Sequence, residues 1–275
     1  MDPLRLEAPA KLNLSLRVVG RRDDGYHELE SELVLLDLAD RLLVLPGCSG
    51  LRVEGRGAAD LPLDERNLAW RGLVAGLGGP PDLVCLTVEK RIPSAAGLGG
   101  GSSDAAAAWR LGRTLAGEAE RATPDDLREL ARIGADVPFF AAGVPVARVG
   151  GIGEVVEPTP AVDASVLLVH PPFALSTADV FTELRREEWG THDNDLLPPA
   201  RRLRPELDDL FAAVHRAGGT PRLTGSGPTI FCLDDDPERL GVVATRLEAT
   251  GLETTLTRTR AAAPQIERIH EEELE

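Results

Sequence analysis

Short apolar segments rich in valine and leucine recur along the first half of the chain, separated by glycine, proline or aspartate. This pattern is typical of β-strands, because those three residue types interrupt regular pairing. Longer segments between them predict helices, one of which has Thr123 as its N-cap, Pro124 in its first turn and Gly134 at its end. The predicted strands cover residues 12–19, 32–36, 41–45 and 83–89, and the predicted helices cover 67–77, 103–115 and 124–133.

The second half begins with a predicted hairpin, and a different order of elements follows it. Strand, two helices, strand, helix and strand in succession indicate an α+β split sandwich. We therefore predict an N-terminal domain over 1–158, a C-terminal domain over 159–262 and an acidic, solvated tail over 263–275. The hairpin strands are 144–149 and 154–157, joined across the glycine-rich residues 150–153; the later strands are 165–170, 229–233 and 253–259, and the later helices are 178–188, 205–217 and 237–249.

Composition narrows the classes of function. The 275 residues include 45 acidic and 30 basic side chains, a net charge of −15, which disfavours binding to nucleic acid or to an anionic membrane. Cys48, Cys85 and Cys232 are far apart and lack metal-ligand spacing, so we expect three thiols in a reducing compartment. With no apolar leader or membrane-length segment, the sequence predicts a cytoplasmic protein.

A glycine-serine loop that runs into an alanine-rich helix is the strongest chemical signal in the sequence. Glycines let a backbone approach an anion closely, and the N–H groups of a helix's first turn favour negative charge. The spacing fits neither the dinucleotide fingerprint nor the P-loop, and a serine-capped surface turn is the alternative. The predicted phosphate-binding residues are Pro93, Ala96, Gly97, Leu98, Gly99, Gly100, Gly101, Ser102 and Ser103.

Two polar residues in an apolar strand and one isolated acid complete a predicted site for phosphoryl transfer. Lys11 and Asn13 are two positions apart and so share a face of their strand. Asp136 stands in an apolar, proline-containing segment, where it would need a cationic partner. Lys11 would neutralise the transferring phosphoryl group and Asp136 would accept the hydroxyl proton. The alternatives are a lysine that extends to solvent and an aspartate that caps a helix or turn.

Two further clusters have both a functional and a structural interpretation. Tyr26 and His27 follow a turn signal and could stack on, and hydrogen-bond to, a nucleobase; otherwise they close the turn. The segment Gly225, Ser226 and Gly227 could bring backbone N–H groups to the phosphate loop, or could be a plain turn before a strand.

Three motifs in this order resemble the GHMP small-molecule kinases. They are Pro9-Ala10-Lys11-Leu12-Asn13-Leu14, the run from Pro93 to Ala106, and Thr224-Gly225-Ser226-Gly227-Pro228-Thr229. The resemblance covers about residues 5–260. It implies a two-domain α+β fold, with an N-terminal domain like part of ribosomal protein S5 and a ferredoxin-like C-terminal domain.

Within that superfamily, residues 24–29 and 134–140 are similar to the branch that phosphorylates 4-diphosphocytidyl-2-C-methyl-D-erythritol. The resemblance implies ATP as donor, Mg²⁺ as cofactor, transfer to the 2-hydroxyl of that acceptor in the non-mevalonate route to isoprenoid precursors, and a monomer or homodimer. It implies catalysis by Lys11 and Asp136. The implied acceptor contacts are Asn13, Tyr26, His27, Thr177 and Phe181, with the cytosine between Tyr26 and Phe181.

One position departs from the branch, and two other functions remain possible. Leu197 follows Asn194-Asp195-Leu196 where a glutamate is usual. Mg²⁺ has no marked carboxylate ligand, so phosphates, waters and Ser103 would hold it.

The alternatives to this function are a GHMP kinase with another acceptor, such as homoserine or mevalonate, and a nucleotide-binding regulator without catalysis.

Overall fold

Two long neighbouring strands form the centre of the first sheet. The computed structural model describes residues 2–23 and 25–270, and in it β1 (Leu4–Arg21) pairs antiparallel with β2 (His27–Pro46). Both are longer than predicted, and β2 joins two segments that were predicted separately. Its polar stretch stays extended because the buried Asp40 accepts backbone hydrogen bonds from Arg91 and Ile92.

The other strands of the first sheet extend it on both sides of this pair. β4 (Val84–Lys90) pairs antiparallel with β2, and β3 (Gly50–Gly55), which was not predicted, pairs parallel with β4. The predicted hairpin is confirmed as β5 (Val146–Gly151) and β6 (Val155–Pro158), and β5 pairs with β2.

Four helices cover this sheet. The two long ones, α1 (Leu68–Leu77) and α2 (Gly100–Leu115), were predicted, although α2 starts three residues before the predicted Ser103, so the last glycines of the loop belong to its first turn. The Thr123 cap of α3 (Pro124–Leu130) is confirmed, with Thr123 and Asp126 bonding to each other's backbone N–H. The short α4 (Val137–Ala141) was not predicted.

The second sheet carries its helices on one face. In the described residues its order is β10–β7–β9–β8, with β7 (Ser165–His170), β8 (Arg222–Leu223), β9 (Ile230–Asp234) and β10 (Glu253–Arg258). The predicted helix over 178–188 is wrong in length, because α5 ends at Glu183 and residues 186–188 form a separate 3₁₀ turn. The helices are α5 (Thr177–Glu183), α6 (Leu197–Leu203), α7 (Glu206–Ala217) and α8 (Pro237–Glu248).

A buried apolar cluster joins the two sheets and fixes one against the other. It contains Leu12 of β1, Val34 of β2, Leu98 of the glycine loop, and Leu168 and Phe231 of the second sheet, all 1% exposed or less. Burial of apolar side chains on this scale is the main stabilising contribution in a fold of this kind. The glycine loop is therefore clamped between the two halves of the chain.

The segment beyond Ala261 is not simply a solvated tail. β11 (Glu267–Arg268) pairs with Leu4 and Arg5 at the start of β1, and Ile269 is 2% exposed. The predicted tail is wrong for these residues because their backbone completes the edge of the first sheet. The acidic residues 271–275 of that prediction lie outside the described residues.

Two of the three expected thiols are joined. Cys48 and Cys85 form a disulfide near the paired ends of β2 and β4, which corrects the expectation for this pair. Cys232 is a buried thiol, and burial raises its pKa to about 11.

Candidate active site

Lys11 is buried in the middle of β1 and points toward the glycine loop. Its ammonium donates to Asn13 Oδ1 at 2.6 Å, and its backbone N–H donates to Leu98 of the loop at 2.9 Å. The ladder with β2 shifts register between Pro9 and Lys11, which frees this N–H for the loop. Because Lys11 is only 4% exposed, the alternative of a lysine extending to solvent is wrong.

Asp136 meets Lys11 at the start of α4. Its Oδ2 lies 3.3 Å from Lys11 Nζ, and 34% of its side chain is exposed. Asp136 occupies the N-cap position of α4, but its side chain makes no capping hydrogen bond there. The carboxylate therefore faces an open cavity with a cation beside it, as a group acting on a ligand would.

The glycine loop covers Lys11 and forms a cavity of about 470 Å³. Gly99 has a φ of +72°, and a Cβ there would lie 3.0 Å from Lys11 Cγ and from Phe140 Cζ, so a side chain would displace the lysine. Every residue predicted to bind phosphate lines this cavity except Ser103. Ser103 is buried in α2, and its hydroxyl has no partner.

The segment Gly225–Gly227, which belongs to the second sheet's half of the chain, also contacts the glycine loop. The Gly97 backbone approaches the Gly227 and Thr224 carbonyl oxygens so closely that a Cβ would lie 2.8 Å and 3.0 Å from them. Thr224 Oγ1 accepts from the Asn13 backbone N–H at 3.1 Å, and the Ser226 and Thr177 hydroxyls are 2.8 Å apart. The turn over Gly225–Gly227, which precedes a cis peptide bond at Pro228, thus forms one wall of the site.

A second cavity of about 290 Å³ contains the Lys11–Asp136 pair. It shares Gly97, Gly99, Ser102 and Thr177 with the loop cavity. Asn13 and Ser226 also line it, so candidate site residues from both halves of the chain face one space. A phosphoryl group held by the loop would lie next to a hydroxyl placed in this second cavity.

An open cleft of about 1170 Å³ continues outward and holds the aromatic residues. The His27 ring stacks on Phe181 with centroids 5.3 Å apart and planes at 21°, while Trp189 contacts His27 edge-on at 5.5 Å. Tyr26 is 64% exposed at the cleft wall, and Thr177 lines all three cavities. Asp24, the first residue of this motif, lies outside the described residues.

Burial and a nearby positive charge favour the neutral form of the His27 imidazole. Burial lowers its pKa below the usual value, and the charge of Arg21 lowers it further. The imidazole is therefore neutral at pH 7 and offers one donor and one acceptor, which matches the edge of a pyrimidine.

Comparisons with known proteins identify the family of this chain. The profiles of the GHMP kinases N terminal domain and the GHMP kinases C terminal family match residues 67–144 and 180–252. A 4-diphosphocytidyl-2-C-methyl-D-erythritol kinase of Dinoroseobacter shibae is 39% identical over 272 residues, with 89% of this chain and 90% of that protein covered. The chain belongs to this kinase family.

Other relatives extend the similarity across species and structures. The 4-diphosphocytidyl-2-C-methyl-D-erythritol kinase of Thermus thermophilus is 38% identical, with 89% of this chain and 92% of that protein covered. A crystal structure of 4-(cytidine 5'-diphospho)-2C-methyl-D-erythritol kinase superposes with a TM-score of 0.76 at 33% identity, covering 93% of this chain and 98% of that one. Leishmania major mevalonate kinase, at 15% identity and a TM-score of 0.65, shares the fold alone. The predicted two-domain α+β kinase fold is confirmed.

Several residues of this kinase site were missed by sequence reasoning. Ser31 of β2 accepts from Asn13 Nδ2 at 2.8 Å and lines the second cavity. Asn194 Nδ2 donates to the carbonyls of Leu223 and Gly225, both at 2.9 Å, and so holds the second glycine turn. Trp189 stands against His27. No local signal distinguished the serine or the tryptophan, whereas the sequence had singled out the motif containing Asn194 only for its missing glutamate.

Asp195, next to Asn194, organises the loop that carries Trp189. Its fully buried carboxylate accepts backbone hydrogen bonds from Gly190, Thr191 and His192, at 2.6, 3.2 and 3.0 Å, and from Val18 of β1 at 2.8 Å. Four such bonds to one carboxylate fix the segment firmly against β1. Leu197, where the branch usually has a glutamate, is not among the donors to this carboxylate.

The described part of the chain contains no cluster of three or more histidine, cysteine or acidic residues that could hold a metal ion. None of its helices combines the length and the apolar character that a membrane crossing needs.

Proposed function

We propose that this kinase transfers the γ-phosphoryl group of ATP to the 2-hydroxyl of 4-diphosphocytidyl-2-C-methyl-D-erythritol. The observation that carries the proposal is the position of the Lys11–Asp136 pair, 3.3 Å apart, in a cavity between the glycine-loop cavity and the aromatic cleft. The relatives named above act on that acceptor. The reaction belongs to the non-mevalonate route to isoprenoid precursors.

Asp136 is the residue we assign to the acceptor hydroxyl. Its partly exposed carboxylate orients the hydroxyl and accepts its proton as the oxygen attacks the γ-phosphorus. The new oxygen–phosphorus bond forms as the bond from the γ-phosphorus to the β–γ bridging oxygen breaks, and ADP leaves. The proton that Asp136 gains passes to solvent after product release.

Lys11 supplies positive charge where the transfer takes place. It neutralises charge on the moving phosphoryl group and is in direct contact with Asp136, at 3.3 Å. Asn13 fixes the direction of the ammonium by accepting from it at 2.6 Å, and Asn13 is itself held by Ser31 and Thr224. Because this network is preorganised, its side chains need little rearrangement when the phosphoryl group is transferred.

The glycine loop, from Pro93 to Ser102, is the segment we assign to the ATP phosphates. Gly97 and Gly99 adopt left-handed conformations there, and the first turn of α2 directs its N–H groups toward the bound anion. Mg²⁺ would accompany ATP and neutralise phosphate charge. Ser102, which lines both cavities, is a better candidate ligand for that ion than Ser103, which lines neither.

We assign the aromatic cleft to the cytidine group of the acceptor. Tyr26 and Phe181 offer faces for stacking, and neutral His27 offers both a donor and an acceptor to the base edge. Thr177, which lines all three cavities, lies along the path from the base to Lys11. Because ATP and phosphorylated metabolites are cytoplasmic, the proposed activity places the protein in the cytoplasm, and its assembly as a monomer or homodimer remains a prediction.

The direct test is ADP release by the purified protein with Mg·ATP and one of several acceptors. Turnover confined to 4-diphosphocytidyl-2-C-methyl-D-erythritol is the expected result. Turnover with homoserine or mevalonate instead would keep the kinase but overturn the acceptor, and binding of ATP without any turnover would favour a regulator.

Tyr26→Ala should raise the KM of the acceptor about tenfold or more while the KM of ATP changes less than about twofold. Loss of base stacking is expected to cost on the order of 1–3 kcal/mol, and the tyrosine is remote from the glycine loop. Initial rates measured while one substrate is varied at saturation of the other give both constants. Tyr26→Phe keeps the ring and serves as the matched control; equal increases in both constants for Tyr26→Ala would contradict the assignment.

A further inference from the structure

The chain contains only two lysines among its 30 basic residues, and both are buried. Lys11 is in the candidate catalytic pair. Lys90, the last residue of β4, is 5% exposed and lies at the wall of the glycine-loop cavity. A compact ammonium with three donors, rather than the broader guanidinium that supplies every other cationic side chain, is therefore found at just these two positions.

Lys90 binds two buried carboxylates from different elements. Its Nζ donates to Asp104 Oδ2 of α2 at 2.6 Å and to Asp40 Oδ2 of β2. The other oxygen of Asp40 accepts from the backbone N–H groups of Arg91 and Ile92, at 2.5 and 2.8 Å. These two residues directly precede Pro93, where the glycine loop begins.

The cluster of Asp40, Lys90 and Asp104 therefore connects the two ends of the glycine loop. Asp40 holds the incoming strand, and Asp104 holds the helix into which the loop runs. Gly100, in the first turn of that helix, lies so close that a Cβ would be 3.4 Å from Lys90 Nζ and 3.1 Å from Ile92 Cγ2. The glycine-rich loop itself, with several left-handed residues, has little intrinsic stiffness.

The cluster has more negative than positive groups, and this favours protonation of one carboxylate. One ammonium faces two carboxylates, and burial raises the pKa of Asp104 to about 7, despite the opposing effect of Lys90. Asp104 Oδ1 has no hydrogen-bond partner. A neutral side chain with the same acceptor oxygen should therefore replace Asp104 without loss of the bond to Lys90.

We propose that Asp104 and Asp40, acting through Lys90, are positioning residues that hold the glycine loop in the conformation that binds the ATP phosphates. The assignment of ATP to this loop rests on the proposed function. Lys90 and Asp104 line the glycine-loop cavity but neither the second cavity nor the aromatic cleft, so the effect of the cluster on the donor nucleotide should be separate from any effect on the acceptor.

The test compares Asp104→Ala with Asp104→Asn. We expect Asp104→Ala to raise the Kd of the β,γ-imido analogue of ATP about tenfold, measured by titration calorimetry, and to raise the KM of ATP similarly. The KM of the acceptor should change less than twofold. Asp104→Asn should restore ATP binding to within twofold of the wild type, because its amide oxygen still accepts from Lys90.

Two further variants keep the result interpretable. Glu120→Gln removes a 3.3 Å ion pair with Arg110 of α2, and neither residue lines the glycine-loop cavity, so ATP binding should be unchanged. If Asp104→Ala does not fold, Asp40→Asn weakens the same cluster more gently, and a threefold increase in Kd is expected. The amide keeps only one acceptor oxygen, which cannot serve both Lys90 and the backbone N–H groups of Arg91 and Ile92. Unchanged binding in the folded variants, an equal loss in Asp104→Asn, or an equal rise in the KM of the acceptor would each overturn the proposal.

Because the calorimetric measurement needs no turnover, its result is independent of the identity of the acceptor. Absence of turnover with the cytidyl substrate, combined with the expected changes in ATP binding, would overturn the proposed acceptor and leave the positioning role intact.

Discussion

Asp136→Asn should lower kcat about 10³-fold while the Kd of ATP stays within about twofold of the wild type. The amide keeps the size of the carboxylate but cannot accept the hydroxyl proton, and it no longer offers Lys11 a charged partner at 3.3 Å. The side chain lines the second cavity and not the glycine-loop cavity, so nucleotide binding should persist. Steady-state kinetics and titration with the β,γ-imido analogue of ATP separate the two effects.

Asp125→Asn is the matched control for this change. Asp125 lies in the first turn of α3, close in sequence, and its side chain is 84% exposed. It should retain wild-type kinetics. If Asp136→Asn turned over at more than about a tenth of the wild-type rate, proton acceptance by Asp136 would be excluded from the mechanism.

Lys11→Met should lower kcat by about 10²–10³-fold, the range expected when one preorganised charge is removed from a transition state. Methionine fills the space between the Gly99 backbone and Phe140 without the ammonium, so the change isolates charge from packing. It leaves Asn13 Oδ1 without its 2.6 Å donor, and some loss of stability is expected. Rates measured below the unfolding temperature of the variant check the effect on turnover.

Thr224→Ser is a useful companion to the lysine variant. It keeps the hydroxyl that accepts from the Asn13 backbone, so kcat should remain within about twofold of the wild type. A rate for Lys11→Met close to that of Thr224→Ser would show that the lysine has no part in stabilising the transferring phosphoryl group.

The parts of the site that depend only on neighbouring residues in the sequence could be predicted from it. The period of a strand puts Lys11 and Asn13 on one face, and a run of glycines before alanines predicts a loop entering a helix. Ser31 and Asn194 were not predicted, because each matters only through a partner on another strand or turn.

The errors in the predicted secondary structure also arise from partners that are distant in the sequence or from misread turn signals. β2 was divided in two because Asp40 resembles a turn residue. Only its bonds to Lys90 and to the backbone after β4 explain why an acid is buried there. α6 was missed because Pro198 and Pro199 suggest a break, although proline is tolerated in a helix's first turn. The C-terminal strand was read as a tail because its pairing partner lies at the opposite end of the sequence.

The hydrogen bond between Asn13 and Thr224 joins residues 211 positions apart. Since a chain is synthesised from its N-terminus, Lys11 and Asn13 emerge from the ribosome long before the turn that completes their surroundings. The partner strand of β1 at Glu267–Arg268 arrives later still. A nascent chain thus has no finished active site until the turn at Gly225–Gly227 has been synthesised, so a product truncated before that turn should be inactive and consume no ATP.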